Sequence, residues 1–136
     1  MNHYTSLEQS KKLLELGLDP ETADMSYQNT MGESKEYFWE AMLGPHPAIR
    51  MNTYSFRNGY VLPCWTIGGL LEVMPITIKP EGKVESCNLE IFKGLSGDYF
   101  VRYMGETPVD IYASFHGTAI NAAYEMVVWL LENGYL

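Results

Sequence analysis

The sequence predicts an α+β fold: an antiparallel sheet of three to five strands packed against a central C-terminal helix and one or two shorter helices. Segments between residues 76 and 115 alternate apolar and polar residues, which is the period of half-buried strands. The stretch from Ala119 to Leu131 is apolar on nearly every side, which is typical of a helix pressed on a sheet. A chain of 136 residues fits one domain, so we predict a single domain over residues 1–136.

The N-terminus is predicted to begin with a capped helix. Ser6 and Gln9 have the spacing of a capping box, and Gly17 is a suitable C-terminal stop. The dipeptide Asp19-Pro20 then has the residue types of an N-cap and a first helical position. It predicts a short second turn that continues through Met25.

The middle of the first half is predicted to contain a loop, a short helix and a hairpin. The segment from residue 26 to residue 35 is polar and predicts a loop. Tyr37–Leu43 predicts one or two helical turns. Asn58-Gly59, between two β-favouring runs, predicts a type I′ hairpin over residues 54–62 that Pro63 closes.

The C-terminal half is predicted to carry the sheet and the central helix. Thr66 caps a short helix that Pro75 stops. Thr118 caps the closing helix, and Asn133-Gly134 ends it. Four segments are predicted to be strands: Ile76–Lys79, Val84–Phe92, Tyr99–Met104 and Val109–Phe115.

Charge and cysteine content restrict the class of protein. Nine basic and seventeen acidic residues give a net charge of −8, with a pI near 4.7. Such a charge repels nucleic acid and anionic membranes, and it suits a basic partner or no charged partner. The N-terminus predicts no signal peptide, and no stretch reaches the length of a membrane span. Two cysteines, Cys64 and Cys87, are too few for a disulfide framework, so we expect a reducing, cytoplasmic setting.

Four stretches carry a resemblance to known sequences: LEQSKKLLELGLDPETADM, LPCWTIGGLLEVMP, the two-strand region ending YFVRYMG, and AAYEMVVWLLENGYL. In this order they resemble a group of small uncharacterised proteins encoded by Bacteroides-type gut bacteria, their phages and mobile elements. The resemblance covers roughly the first twenty-five residues and most of the chain from Leu62 onward. Residues 28–60 fall outside it, and we interpret them as an insertion particular to this branch. The resemblance implies an intracellular accessory protein and supplies no catalytic residues.

No motif in the sequence predicts a catalytic, metal or cofactor site. The histidines His3, His46 and His116 are scattered, and none has the spacing of a metal motif. One catalytic arrangement stays open, a dyad of His116 with Cys64 or Cys87 brought together by the fold. Structural roles for these residues are the alternative that the sequence favours.

The last strands predict one candidate binding face. If Cys87, Leu89 and Ile91 face the closing helix, Phe92 faces the other way. Arg102 on the next strand is also expected to point outward, because an unpaired buried guanidinium is costly. Glu90 is then the cross-strand or diagonal partner of Arg102. The predicted protein-binding face consists of Phe92, Phe100, Arg102 and Met104, a mixture typical of interface hot spots. The alternative is that Tyr37–Leu43 folds over this face and buries it as a second core.

Three functional hypotheses follow from the sequence. The first, which we favour, is a non-enzymatic module of phage or mobile-element type that binds an unknown protein partner without direct nucleic-acid or membrane contact. The second is an acidic mimic of nucleic acid that inhibits a DNA-binding protein, and it rests on charge alone. The third is a small enzyme whose site is assembled in space. We predict a monomer or homodimer and no cofactor.

Overall fold

The computed structural model describes residues 3–29, 39–44, 47–82, 86–105 and 110–136, with the backbone alone described for Asp110 and Ile111. The chain divides into two compact units, Met1–Gly69 and Leu70–Leu136, and each contains an antiparallel sheet. The predicted α+β class is confirmed. The sequence predicted one sheet where the structure has two, and the assignment of residues 1–136 to a single domain stays a prediction.

The first unit is built on a three-stranded sheet in the order β2-β1-β3. The central strand β1 (Met25–Asn29) pairs antiparallel with β2 (Trp39–Leu43) and with β3 (Val61–Cys64). Side chains of β1 and β3 form the centre of its core, and partly buried apolar residues surround them. The buried members are Met25, Tyr27, Leu62 and Cys64, and the surrounding ones are Tyr4, Leu7, Leu14, Trp39 and Ala41.

The N-terminal helix α1 (Leu7–Glu15) begins as predicted. The hydroxyl of Ser6 accepts a hydrogen bond from the Gln9 amide at 3.1 Å, and the Gln9 side chain accepts one from the Ser6 amide at 3.0 Å. This reciprocal pair is the predicted capping box. The turn predicted from Asp19-Pro20 is a 3-10 turn over Pro20–Thr22. It is shorter than predicted, because the strand β1 already begins at Met25.

Two predictions for the first unit are wrong in the residues that the structure describes. Residues 26–29 of the predicted loop belong to β1, where Ser26 is buried. Residues 39–43 of the predicted helical turns form β2. The sequence of β2, WEAML, is rich in residues that favour helices, and its pairing with β1 overrides that propensity. Residues 30–38 lie outside the described residues.

The predicted hairpin over residues 54–62 is also wrong. Two short helices, α2 (Pro47–Arg50) and α3 (Tyr54–Arg57), precede β3. A type I′ turn requires positive φ at both central residues, whereas Asn58 has φ −102° and only Gly59 is positive, at +77°. The Asn58 side chain donates to the Tyr54 carbonyl at 2.9 Å, so the Asn-Gly pair caps a helix. Pro63 does not close a hairpin but lies within β3, an edge strand that tolerates its missing N–H.

The second unit is built on a four-stranded sheet in the order β4-β5-β6-β7. The boundary between the units falls inside α4 (Ile67–Val73), whose N-terminus is capped by Thr66 as predicted. All four predicted strands are present, although residues 84, 85 and 109 of the predicted ranges lie outside the described residues. They are β4 (Thr77–Ile78), β5 (Cys87–Lys93), β6 (Tyr99–Met104) and β7 (Asp110–His116).

The closing helix α5 (Ala119–Glu132) packs on β6 and β7, as the apolar pattern predicted. The Thr118 hydroxyl caps its N-terminus, and the Ser114 hydroxyl of β7 donates to the Ala122 carbonyl at 2.7 Å. The side chains of α5 that are buried form the centre of this unit's core. They are Ile120, Ala122, Ala123, Met126, Val127 and Leu130.

Candidate functional site

The four residues of the predicted binding face lie on the second sheet, on the side opposite α5. Alternate residues of a strand point to opposite faces, and Ser114, which bonds to α5, is directly across from Val101. Val101 therefore points towards α5, and the alternate residues of β6 point to the opposite face. These are Phe100, Arg102 and Met104. Phe92 and Phe100 are cross-strand partners. The structure therefore places Phe92, Phe100, Arg102 and Met104 on one face, which we call the outer face.

Three phenylalanines form a row across this face, one from each of β5, β6 and β7. The register places Phe92 opposite Phe100, and Phe100 opposite Phe115. The rings of Phe92 and Phe100 are 4.9 Å apart between centroids and inclined by 4°, and those of Phe100 and Phe115 are 5.6 Å apart and inclined by 18°. Nearly parallel rings at these separations overlap face to face. We call these three residues the phenylalanine row.

The phenylalanine row rests against a glycine at the end of β5. A Cβ atom added to Gly94 would lie 2.7 Å from the Cε2 atom of Phe100. Any other residue at this position would displace the ring. The turn that Gly94 begins also contains Leu95, whose side chain is fully exposed.

A charged pair borders the row. Glu90 is directly opposite Arg102, and an Arg102 guanidinium nitrogen lies 2.8 Å from a Glu90 carboxylate oxygen, as the sequence predicted. The Nε atom of Arg102 donates to the same oxygen at 2.9 Å. The guanidinium carbon lies 4.8 Å from the centroid of the Phe92 ring, a cation–π geometry. The ion pair and the ring contact hold the arginine side chain along the face.

The outer face is partly open to solvent. Phe92 is 39% exposed and Phe115 is 60% exposed, whereas Phe100, at the centre of the row, is half-buried. The alternative prediction was that Tyr37–Leu43 folds over this face and buries it as a second small core. Residues 39–43 form β2, which pairs with β1 in the first sheet. Residues 37 and 38 lie outside the described residues, and this alternative stays a prediction.

The sequence reasoning missed Phe115, the most exposed member of the row. It lies inside the strand predicted over Val109–Phe115, but its face depended on the pairing of that strand. The register of β6 and β7 shifts between Tyr103 and Met104. A shift of one residue moves every side chain to the other face. The alternation of Tyr112, Ser114 and His116 with Phe115 was the only available signal, and it was not used.

A second polar cluster lies in the first unit and is buried. The Thr5 hydroxyl is 2.8 Å from the Ser10 hydroxyl and 3.7 Å from the Cys64 sulfur, and the Tyr27 hydroxyl donates to the Thr5 carbonyl at 2.8 Å. Burial raises the pKa of the Cys64 thiol to about 11, although hydrogen bonds from Thr5 and Ser10 oppose the shift. Burial also raises the pKa of Tyr27 to about 12, with a further contribution from Cys64. These groups stay neutral and join the N-terminal segment to β1 and β3.

The catalytic dyad left open by the sequence gains no support. A thiol with a pKa near 11 is protonated at neutral pH and is not an activated nucleophile. Cys87 is also fully buried. Cys87 and Lys93 are six residues apart on β5. Lys93 pairs with Tyr99 of β6, which in turn pairs with His116 of β7. Strand geometry separates Cys87 from His116 by about 20 Å, too far for proton transfer.

Within the described part of the chain, no cluster of three or more histidine, cysteine or carboxylate side chains is arranged to hold a metal ion. The helices described here are all too short or too polar to cross a membrane. We compared the chain with protein-family models, curated proteins and solved structures, and none of them matches it. The resemblance to proteins of gut bacteria and their mobile elements therefore stays a prediction.

Proposed function

We propose that this chain is a non-enzymatic protein-binding module and that the outer face of its second sheet is the binding surface. The observation that carries the proposal is the phenylalanine row, exposed at Phe92 and Phe115 and bordered by the Glu90–Arg102 pair. Large exposed rings beside an arginine have the composition of an interface hot spot. Contiguous aromatic surface of this kind is uncommon on a protein without a partner.

The geometry of the row favours a protein over a nucleic acid as the ligand. Proteins that bind single-stranded nucleic acid stack bases on free ring faces and grip phosphates with basic side chains. Within the row, both faces of Phe100 and one face each of Phe92 and Phe115 are turned to a neighbouring ring, so mainly ring edges are available to a ligand. The net charge of −8 also opposes phosphate binding. Ring edges pack well against aliphatic and aromatic side chains of another protein.

The proposed setting is the cytoplasm, as an accessory protein of phage or mobile-element type. The support for this setting is the resemblance of four sequence stretches and the two cysteines, Cys64 and Cys87, which are buried free thiols. An inhibitor that mimics nucleic acid is the second candidate, and the net charge favours it. Among the described residues, one ion pair is present, so Arg102 neutralises only the carboxylate of Glu90.

The test is affinity capture from a lysate of a Bacteroides-type bacterium, at low and at high salt, followed by mass spectrometry. The matched variants are Phe92→Ser and Ile91→Ser, since Ile91 is the adjacent residue on the opposite face with a similar exposure of 48%. We expect one partner whose capture survives high salt, is lost with Phe92→Ser and is kept with Ile91→Ser. Capture of DNA-binding proteins that high salt abolishes would contradict the proposal and favour the nucleic-acid mimic.

A further inference from the structure

In the part of the chain that the structure describes, four strands end the two sheets, and β7 differs from the other three. β3 carries Pro63, β4 is two residues long, and β2 carries the charged Glu40. Proline, short length and charge are the devices by which proteins prevent an edge strand from pairing with another chain. β7 is seven residues long, and from Tyr112 to His116 it contains no proline, lysine or carboxylate. The irregularity in its pairing lies at the other end, near Asp110.

The phenylalanine row ends at this same strand. Phe115 stacks on Phe100 on its inner side, and this is its only ring contact among the described residues. Its outer side points to the position that a further strand would occupy next to β7. The exposure of Phe115, 60%, is the largest in the row. The sheet and the row of rings therefore both stop at a strand that can accept another.

We propose that β7 pairs antiparallel with β7 of a second copy of this chain, with Phe115 directly opposite the Phe115 of that copy. A twofold axis perpendicular to the sheet makes the strand its own complement and keeps both outer faces on one side. This register continues the row through six rings, because it adds the three rings of the second copy. It also places Ser114 opposite His116 on the helix side and Ala113 opposite Gly117 on the outer face, so no two bulky side chains compete at these positions.

The pairing is expected to be weak. A single pair of short strands buries less surface than a stable dimer requires, so association should depend on protein concentration. Each copy carries a net charge of −8, which opposes association. Salt screens this repulsion. The dimer should therefore strengthen when the ionic strength is raised, which is opposite to the behaviour of a dimer held by ion pairs.

Disulfide trapping tests the register directly. Directly opposite residues of an antiparallel pair have Cα atoms about 4.5–5.5 Å apart, within the range of a disulfide. Phe115→Cys should therefore form a covalent dimer on mild oxidation. The control His116→Cys lies one residue further along, where the two Cα atoms are about 8 Å apart and cannot be bridged. The native thiols of Cys64 and Cys87 are fully buried and do not compete.

Sedimentation equilibrium measures the association without a crosslink. Phe115→Lys should weaken the dimer at least about tenfold, whereas Ile91→Ser, on β5 and on the opposite face of the sheet, should leave it intact. Circular dichroism confirms that both variants are folded. A wild-type chain that stays monomeric at every concentration would overturn the proposal. So would a Phe115→Cys variant that crosslinks no faster than His116→Cys.

Discussion

Raising the pH should destabilise the first unit through the thiol of Cys64, and replacing Cys64 with alanine should remove this effect. The Cys64 side chain of β3 is fully buried in the core of the first unit, and its sulfur lies 3.6 Å from the Thr5 carbonyl oxygen. Burial raises the pKa of the thiol from its ordinary value of 9.0 to about 11. The neutral thiol fits this site, and the thiolate does not.

The size of the effect follows from the two pKa values. Because the folded state holds the proton more tightly than the unfolded chain, the contribution of the thiol is complete below about pH 9. It is lost as the pH rises towards 11. A shift of two pKa units corresponds to about 2.7 kcal/mol. At pH 11, where half of the folded thiols are ionised, about 2 kcal/mol of the free energy of unfolding should be lost.

Urea unfolding at pH 8 and at pH 11, followed by tryptophan fluorescence, measures this loss. Trp65 is adjacent to Cys64 and fully buried, so its fluorescence reports on the same region. The quantity to compare is the difference in free energy of unfolding between the wild type and Cys64→Ala. We expect this difference to fall by about 2 kcal/mol between the two pH values. Burial, the largest cause of the raised pKa of Tyr27, acts in both proteins, so the main part of the Tyr27 titration cancels in the comparison. A difference that is independent of pH would refute the account of a desolvated thiol.

Three further predictions concern the fold. Leu130→Ala should lower the free energy of unfolding by about 2–5 kcal/mol, because Leu130 is fully buried on α5; Glu132→Ala on the exposed side should change it by less than about 0.5 kcal/mol. Cys64 and Cys87 should resist a thiol reagent until the protein unfolds, and an intact mass two daltons low under non-reducing conditions would contradict the free thiols. Gly59→Ala should cost about 1 kcal/mol in thermal unfolding, because Gly59 has φ +77° at the end of α3; a stabilising effect would contradict the helix cap.

The sequence was most informative where a local signal has one structural meaning. The capping box at Ser6 and the apolar surface of α5 each predicted an element that the structure contains. Asn-Gly is ambiguous, because it suits both a hairpin turn and the end of a helix. Asn133 donates its side-chain amide to the Trp129 carbonyl at 2.8 Å, as Asn58 does to the Tyr54 carbonyl. The two dipeptides therefore have the same role, and only the second was assigned to it.

Tertiary pairing decided the elements that the sequence could not predict. β1 contains Ser26 and Gln28, which suggested a loop, but it is the central strand of its sheet and two neighbours satisfy its backbone. More of the candidate site than of the first sheet was predicted from the sequence, because the Glu90–Arg102 pair depends only on the hairpin formed by β5 and β6. Phe115 needed the pairing of β6 with β7, which no local pattern specifies.

The central claim is that the phenylalanine row binds a partner and is not a second core. The most direct measurement pairs the affinity for the captured protein with the thermal stability of Phe100→Ser. Phe100 stacks on both Phe92 and Phe115, so its loss removes two ring contacts worth about 1–3 kcal/mol together. The account predicts a fall of a few degrees in the unfolding temperature and an affinity at least about tenfold lower. A large fall in the unfolding temperature with unchanged affinity of the remaining folded protein would contradict it.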